Sequence, residues 1–197
     1  MRHDNPDLTD AGGNRIVPRT FLQEEIITSA TGDVVLTLPA TPWKRFEVQI
    51  DDWAPTTDSV APIFQLGVGG SIQAGATDYQ FHVGILASNT ASYAADFLEA
   101  SPDVRMTKDD TNSQAGSALG ESFSYSVTIA PGSSDADLPM VWFSGAGIND
   151  AGRLMGVTGF GAYRGATSGV FGRADEIRFT FDTNTISRGI FRLYGTE

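Results

Sequence analysis

Ser122-Phe123-Ser124-Tyr125-Ser126-Val127-Thr128-Ile129 alternates a hydroxyl with an apolar or aromatic residue along its whole length. A period of two puts Phe123, Tyr125, Val127 and Ile129 on one side of an extended chain and the hydroxyls on the other. Such a strand needs a core beneath it and water above it. The same period recurs in both directions from this segment. Val34, Leu36 and Leu38 keep it, as do Phe46, Val48 and Ile50 against Glu47, Gln49 and Asp51. It returns in Phe64, Leu66 and Val68, in Tyr79, Phe81, Val83 and Ile85, and in Ile177, Phe179 and Phe181. Gly189-Ile190-Phe191-Arg192-Leu193-Tyr194-Gly195 reads as a last strand that closes the sheet.

Turn-forming clusters separate these runs, including Thr31-Gly32-Asp33, Ala130-Pro131-Gly132-Ser133-Ser134 and Asp182-Thr183-Asn184-Thr185. Strands with one apolar face pair most simply as two stacked sheets. The expectation is an all-β fold, a jelly-roll-like antiparallel β-sandwich of about eight to ten strands over residues 21–197. One short helix is expected over Ser92–Ala100, where a serine cap and helix-favouring residues precede Pro102.

Residues 1–20 are polar, broken by Pro6, Gly12-Gly13 and Pro18, and carry no periodicity. They read as an extended attachment arm, which at full stretch reaches roughly 65 Å. Arg15, Ile16, Val17 and Phe21 are its anchoring candidates, because a solvated tail has no need of such apolar residues.

Composition excludes several functions. Net charge is −11 over 197 residues, which disfavours a nucleic-acid partner, since phosphates are neutralised by Lys and Arg. With no cysteine there is no disulfide, thiolate-metal site or thiol nucleophile. No apolar run approaches the roughly 20 residues of a membrane span, so membrane insertion is not expected. Met1–Asp7 lacks the apolar centre of a secretory signal, which points to synthesis in a cytoplasm.

The chemistry-bearing residues are scattered. His82 sits in a strand on the side opposite Phe81 and Val83, and no Gly-x-Ser-x-Gly elbow accompanies it. Asp51, Asp52, Asp58, Asp109 and Asp110 could supply paired carboxylates, with nothing to select a pair. Asp51, Asp52 and Asp58, or Asp135 and Asp137, offer hard oxygen ligands without EF-hand spacing. Gly67-Val68-Gly69-Gly70 lacks the continuation of a phosphate cradle. No catalytic residue, cofactor or metal site is assigned.

Binding is better sought on long loops. Two stretches look too long for hairpin connections, Ser88–Gly120 and the glycine-rich Ser144–Gly172. The second also reads as two glycine-softened strands, Leu154–Phe160 and Tyr163–Phe171. Trp142 lies in an apolar run and is expected in the core, whereas Trp53 opens a proline-containing loop and is expected to be exposed. The surface-contact candidates are Trp53, Tyr93, Tyr163 and Arg164.

Three segments carry a family resemblance: Trp43–Asp51 with the turn Pro55–Asp58, Phe64–Gly69 preceding Asp78-Tyr79, and Asp175–Phe179 leading to Gly189–Gly195. In this order they resemble a structural module of tailed bacteriophages, found in tail-fibre, head-fibre and receptor-binding proteins. The resemblance implies a non-enzymatic virion protein assembled in the host cytoplasm, usually trimeric, contacting other virion proteins and a host-surface glycan. It leaves two roles open: a tail-fibre or spike-type subunit for adhesion, or a capsid decoration protein. It transfers no catalytic residue. A carbohydrate-active enzyme or a lectin of cellular origin is the remaining class.

Overall fold

A computed structural model describes residues 19–87, 93–108, 114–134 and 136–197. Arg15, Ile16 and Val17 lie outside these residues, as does most of the expected arm. The elements are β1 (Thr20–Ile27), β2 (Val34–Thr37), β3 (Arg45–Pro55), β4 (Pro62–Val68), β5 (Tyr79–Ala87), β6 (Tyr93–Ser101), β7 (Val104–Arg105), β8 (Phe123–Ala130), β9 (Met140–Ile148), β10 (Leu154–Tyr163), β11 (Ala174–Phe181) and β12 (Ile186–Thr196). Two antiparallel sheets face each other, an eight-stranded one in the order β1-β12-β3-β8-β9-β10-β5-β6 and a four-stranded one in the order β2-β11-β4-β7.

This is a jelly roll with additions. The strands β1-β12-β3-β8, facing β2-β11-β4-β7, are the eight-strand arrangement, in which the chain passes repeatedly from one sheet to the other. Beyond β8 the larger sheet is widened by β9, β10, β5 and β6. The hairpin β5-β6 is inserted between β4 and β7 in the chain, and β9-β10 between β8 and β11; the last strand, β12, lies between β1 and β3. The closing strand is therefore an interior strand, paired on both sides.

The alternation seen in the sequence is the burial pattern of the molecule. Phe46, Val48, Ile50, Phe123, Tyr125, Val127, Ile129, Phe81, Val83, Ile177, Phe179 and Phe191 all point between the sheets and are buried. At full burial an aliphatic or aromatic side chain contributes about 1.5–3 kcal/mol, so this interior is the main source of stability. Strand β4 is buried at every position: β11 and β7 flank its two edges, and on its outer face the Gln65 amide donates to the Pro102 carbonyl in the turn before β7.

Three expectations are corrected. The helix expected over Ser92–Ala100 is not formed in the described part, Tyr93–Ala100: β6 occupies it, paired with β5 from Leu86↔Tyr93 to Tyr79↔Ser101. Its residues favour a helix, but propensity amounts to tenths of a kcal/mol per residue, roughly, and the open edge of β5 offers a full ladder of backbone partners. The stretch 88–120 accordingly contains β6 and β7, and 144–172 contains most of β9 and β10. Tyr163 ends β10, and the segment after it is a loop rather than a second strand.

The strand expected over Leu154–Phe160 lies within β10, and the glycines that soften it and β9 are there for a packing reason. The inward positions of the meander β8-β9-β10 carry Gly145, Gly147 and Gly159, each directly opposite an inward aromatic: Tyr125↔Gly145, Phe123↔Gly147 and Phe143↔Gly159. Each ring lies over the glycine beside it, where a Cβ would collide with ring atoms and with a neighbouring strand carbonyl. Gly195 likewise leaves room for the Trp43 ring and Leu22.

Candidate functional site

Trp53 is not a surface residue. It is 1% exposed and sits at the centre of an aromatic cluster with Tyr125, Phe179, Phe181 and Phe191, at ring separations of 6.1, 5.9, 5.1 and 5.6 Å. Strict alternation from Ile50 would place Asp52 inside and Trp53 outside. A β-bulge at Asp51-Asp52, with Asp52 at φ 52°, inserts one residue. Both carboxylates then face solvent and Trp53 turns inward. Burying an unpaired carboxylate costs far more than the bulge.

Tyr163 is also buried, at 1% exposed. Its hydroxyl donates to the Val170 carbonyl at 2.7 Å and lies 2.8 Å from the Ser168 hydroxyl. Burial pushes its phenol above the ordinary tyrosine value. Nearby, the buried Asp78 carboxylate accepts backbone N–H groups of Gly75, Thr167 and Ser168 at 2.9, 2.8 and 3.0 Å. Tyr163 and Asp78 thus tie down the loop after β10 and present nothing to a partner. Arg164 is exposed, and its guanidinium reaches the Glu99 carbonyl at 3.4 Å. Tyr93 opens β6 opposite Leu86, and its side chain lies outside what is described. Phe21 is 54% exposed, with its ring edge against Tyr194 at 5.8 Å. The four contact candidates do not converge.

A different set does converge, on the solvent face of the eight-stranded sheet. Strand register lines up Phe21, Tyr194, Glu47, Thr128, Trp142, Phe160, His82 and Phe97 in one row across all eight strands. Its neighbouring row is Arg192, Gln49, Ser126, Ser144, Thr158, Gly84 and Ala95. Side chains in the second row are short from Ser126 onward, so the aromatic row stands above a hydroxyl-lined floor.

The result is an open depression lined by His82, Ser126, Thr128, Trp142, Ser144, Thr158 and Phe160, of about 460 Å³. A second depression, lined by Gln49, Asp51, Ser124, Ser126, Ser144 and Gly145, shares Ser126 and Ser144 with the first. Together they make one trough crossing β3, β8, β9, β10 and β5. At about 4.8 Å between strands it is roughly 19 Å long.

Its walls are fixed. Trp142 and Phe160, 40% and 46% exposed, occupy outward positions directly opposite each other on β9 and β10. His82 stacks on Phe160, with ring centroids 5.6 Å apart and planes 15° from parallel. Trp142, expected in the core, is outward because Val141 and Phe143 take the inward positions beside it.

Beyond β8 the same face changes character and becomes ionic. Arg192 bonds Glu24 at 2.7 Å and Asp51 at 2.8 Å, Arg19 bonds Glu47 at 2.6 Å, and Arg188 bonds Asp52 at 3.1 Å. The Glu24 hydrogen bond, above all, holds the Arg192 guanidinium above its ordinary pKa, and Glu47 does the same for Arg19. Asp58 is held below the usual carboxylate range by the Ser117 backbone N–H, helped by its hydroxyl. Asp51, Asp52 and Asp58 therefore go to separate partners. Among the described residues no group of three His, Asp or Glu is gathered as for a metal ion. His82 has Phe160 and Phe97 as its cross-strand neighbours, not a hydroxyl or a carboxylate.

The fold and this face define a two-sheet β-sandwich with an aromatic, hydroxyl-floored trough on its larger sheet. Comparison with protein-family models, curated proteins and solved structures finds no match. Sequence reasoning missed Trp142, Phe160 and His82 as a group because they lie on three separate strands, the extremes, His82 and Phe160, being 78 positions apart (160 − 82). The available signal was parity within each strand. Register, which places the three side by side, is set only on pairing.

Proposed function

We propose that this chain is a non-enzymatic virion structural subunit of a tailed bacteriophage, of the tail-fibre or spike type, that attaches the particle to a host surface. The bacteriophage setting rests on the resemblance of the segments 43–58, 64–79 and 175–195. The attachment role rests chiefly on the exposed row Trp142-Phe160-His82 above the Ser126-Ser144-Thr158 floor. A cross-strand aromatic pair adds only about 0.2–1 kcal/mol to a sheet, and open aromatic surfaces of this kind serve recognition. A host-surface glycan fits the lining, since hydroxyls on the floor match hydroxyls on a sugar. The subunit works as a homo-oligomer, a trimer, with the exposed Leu86, Phe97 and Leu98 at the β6 end of the sheet as contacts between copies.

Localisation on the particle and competition for the host test this reading. Labelled protein at the tail tip, with purified wild-type protein blocking adsorption and Trp142→Ala failing to block, is the expected result. Density over the capsid lattice, with no effect on adsorption, would replace adhesion by head decoration. A monomer at micromolar concentration in size-exclusion chromatography would remove the trimer.

A further inference from the structure

The outer-face trough also restricts what kind of receptor it can take. We propose that it binds an electrically neutral polysaccharide chain laid across the strands, with a sugar ring stacked on Trp142 and Phe160 and hydroxyl groups bonded to Ser126, Ser144 and Thr158. This rests on the adhesion reading and narrows it to one ligand class.

Three observations carry the choice. The first is charge. No lysine or arginine lines either depression, and the one carboxylate at the end of the trough, Asp51, is engaged by Arg192. Sialylated, uronic, sulfated or phosphorylated chains need Arg or Lys donors, and a protein of net charge −11 repels them at long range. A polycation would need free carboxylates, and those of this face are paired with arginines.

The second observation is shape. The trough is open along its length and shallow, so it cannot enclose a single small molecule, and a site of this form accommodates a chain entering and leaving at its two ends. Its two depressions are continuous through Ser126 and Ser144.

The third is area. A trough about 19 Å long and two residue rows wide presents a few hundred Å², well short of the roughly 800 Å² per partner of a stable protein–protein interface. The alternation of an aromatic wall and a hydroxyl floor suits a pyranose, which has an apolar ring face and a rim of hydroxyls. The His82 ring backing Phe160 keeps that wall from turning on binding.

The test uses the purified full-length chain, Trp142→Ala, and Ser144→Trp, which fills the floor at an exposed strand position and leaves the interior untouched. Each is run by affinity electrophoresis and fluorescence against neutral hexose and N-acetylhexosamine polymers and against anionic polysaccharides. Each is also measured for attachment to host cells. The expected result is retention by a neutral polymer, insensitive to salt, weakened about tenfold in Trp142→Ala as a stacking contact is lost. Ser144→Trp is expected to abolish retention. Retention only by anionic polymers would overturn neutrality and leave adhesion standing. Host attachment lost in both variants, with no polysaccharide retained by the wild type, would overturn the glycan in favour of a protein receptor. Unchanged host attachment in both variants would overturn adhesion through this face altogether.

Discussion

Two of the three tryptophans show how much one backbone residue decides. Trp53 and Trp142 both follow apolar alternation, yet the bulge at Asp51-Asp52 turns one into the core and regular pairing turns the other to solvent. Trp53→Ala should cost roughly 3–5 kcal/mol, because it opens a cavity among four aromatic rings. Trp142→Ala should change stability by less than about 0.5 kcal/mol while weakening binding about tenfold. Urea unfolding of the two variants checks this, and comparable losses would contradict the assignment of faces. A second residue-scale prediction concerns Asp103. Burial, first of all, raises its carboxyl above the usual range despite the nearby Arg105, and Oδ1 has no hydrogen-bond partner. A raised folded-state pKa means that the ionised form weakens the fold at pH above it. That penalty fades as pH falls through the folded value and is gone below the unfolded one. Asp103→Asn should therefore raise the melting temperature near about pH 7, with an advantage that shrinks on acidification. Thermal melts across pH read this directly, and a gain independent of pH would sink it.

At the scale of elements, β9 and β10 are where glycine weakens the sequence signal. Glycine at inward positions thins the apolar half of the period-two signal, so 144–172 reads as a loop as well as glycine-softened strands. In β8 the same alternation is legible because the aromatics are there and their glycine partners are on the neighbouring strand. Strand β6 was hidden differently, by helix-favouring residues that tertiary pairing overrides. The two glycine environments predict opposite mutational outcomes. Gly159→Val drives a side chain against the Phe143 ring and the His82 carbonyl and should destabilise by about 1–3 kcal/mol. Gly156→Val, outward on the same strand with no atom near its Cβ, should be neutral or slightly stabilising, as a β-branched residue suits an extended backbone. Denaturation midpoints for the pair test the packing account. Equal effects would refute it.

For the whole molecule, the pairing of β12 between β1 and β3 joins the two ends of the described chain in one sheet. Nearly every strand pair outside the meander and the β5-β6 hairpin bridges distant segments, so folding is governed by slow loop closure. Deleting residues 186–197 withdraws Ile186, Phe191 and Leu193 from the core and strips β3 of one of its two partners and β1 of its only one among the described residues. The truncated chain should be unfolded by circular dichroism. Replacing the β1 residues Phe21 and Ile26 by threonine should leave it folded, because that strand is an edge with both side chains exposed. A folded truncation product would mean that β12 is an accessory and that the core is complete without it.

Alternation along the chain was enough to establish two facing β layers and the identity of most core residues, because burial on a strand is a local matter of every second residue. The site was not readable in that way. Which alternate residues face inward past a bulge, and which outward residues of separate strands share a row, depend on pairing partners up to the full length of the sheet. Trp142, Phe160 and His82 became a surface only once strand register had brought them together, and Trp53 left the surface only once the backbone had gained one residue at Asp51-Asp52.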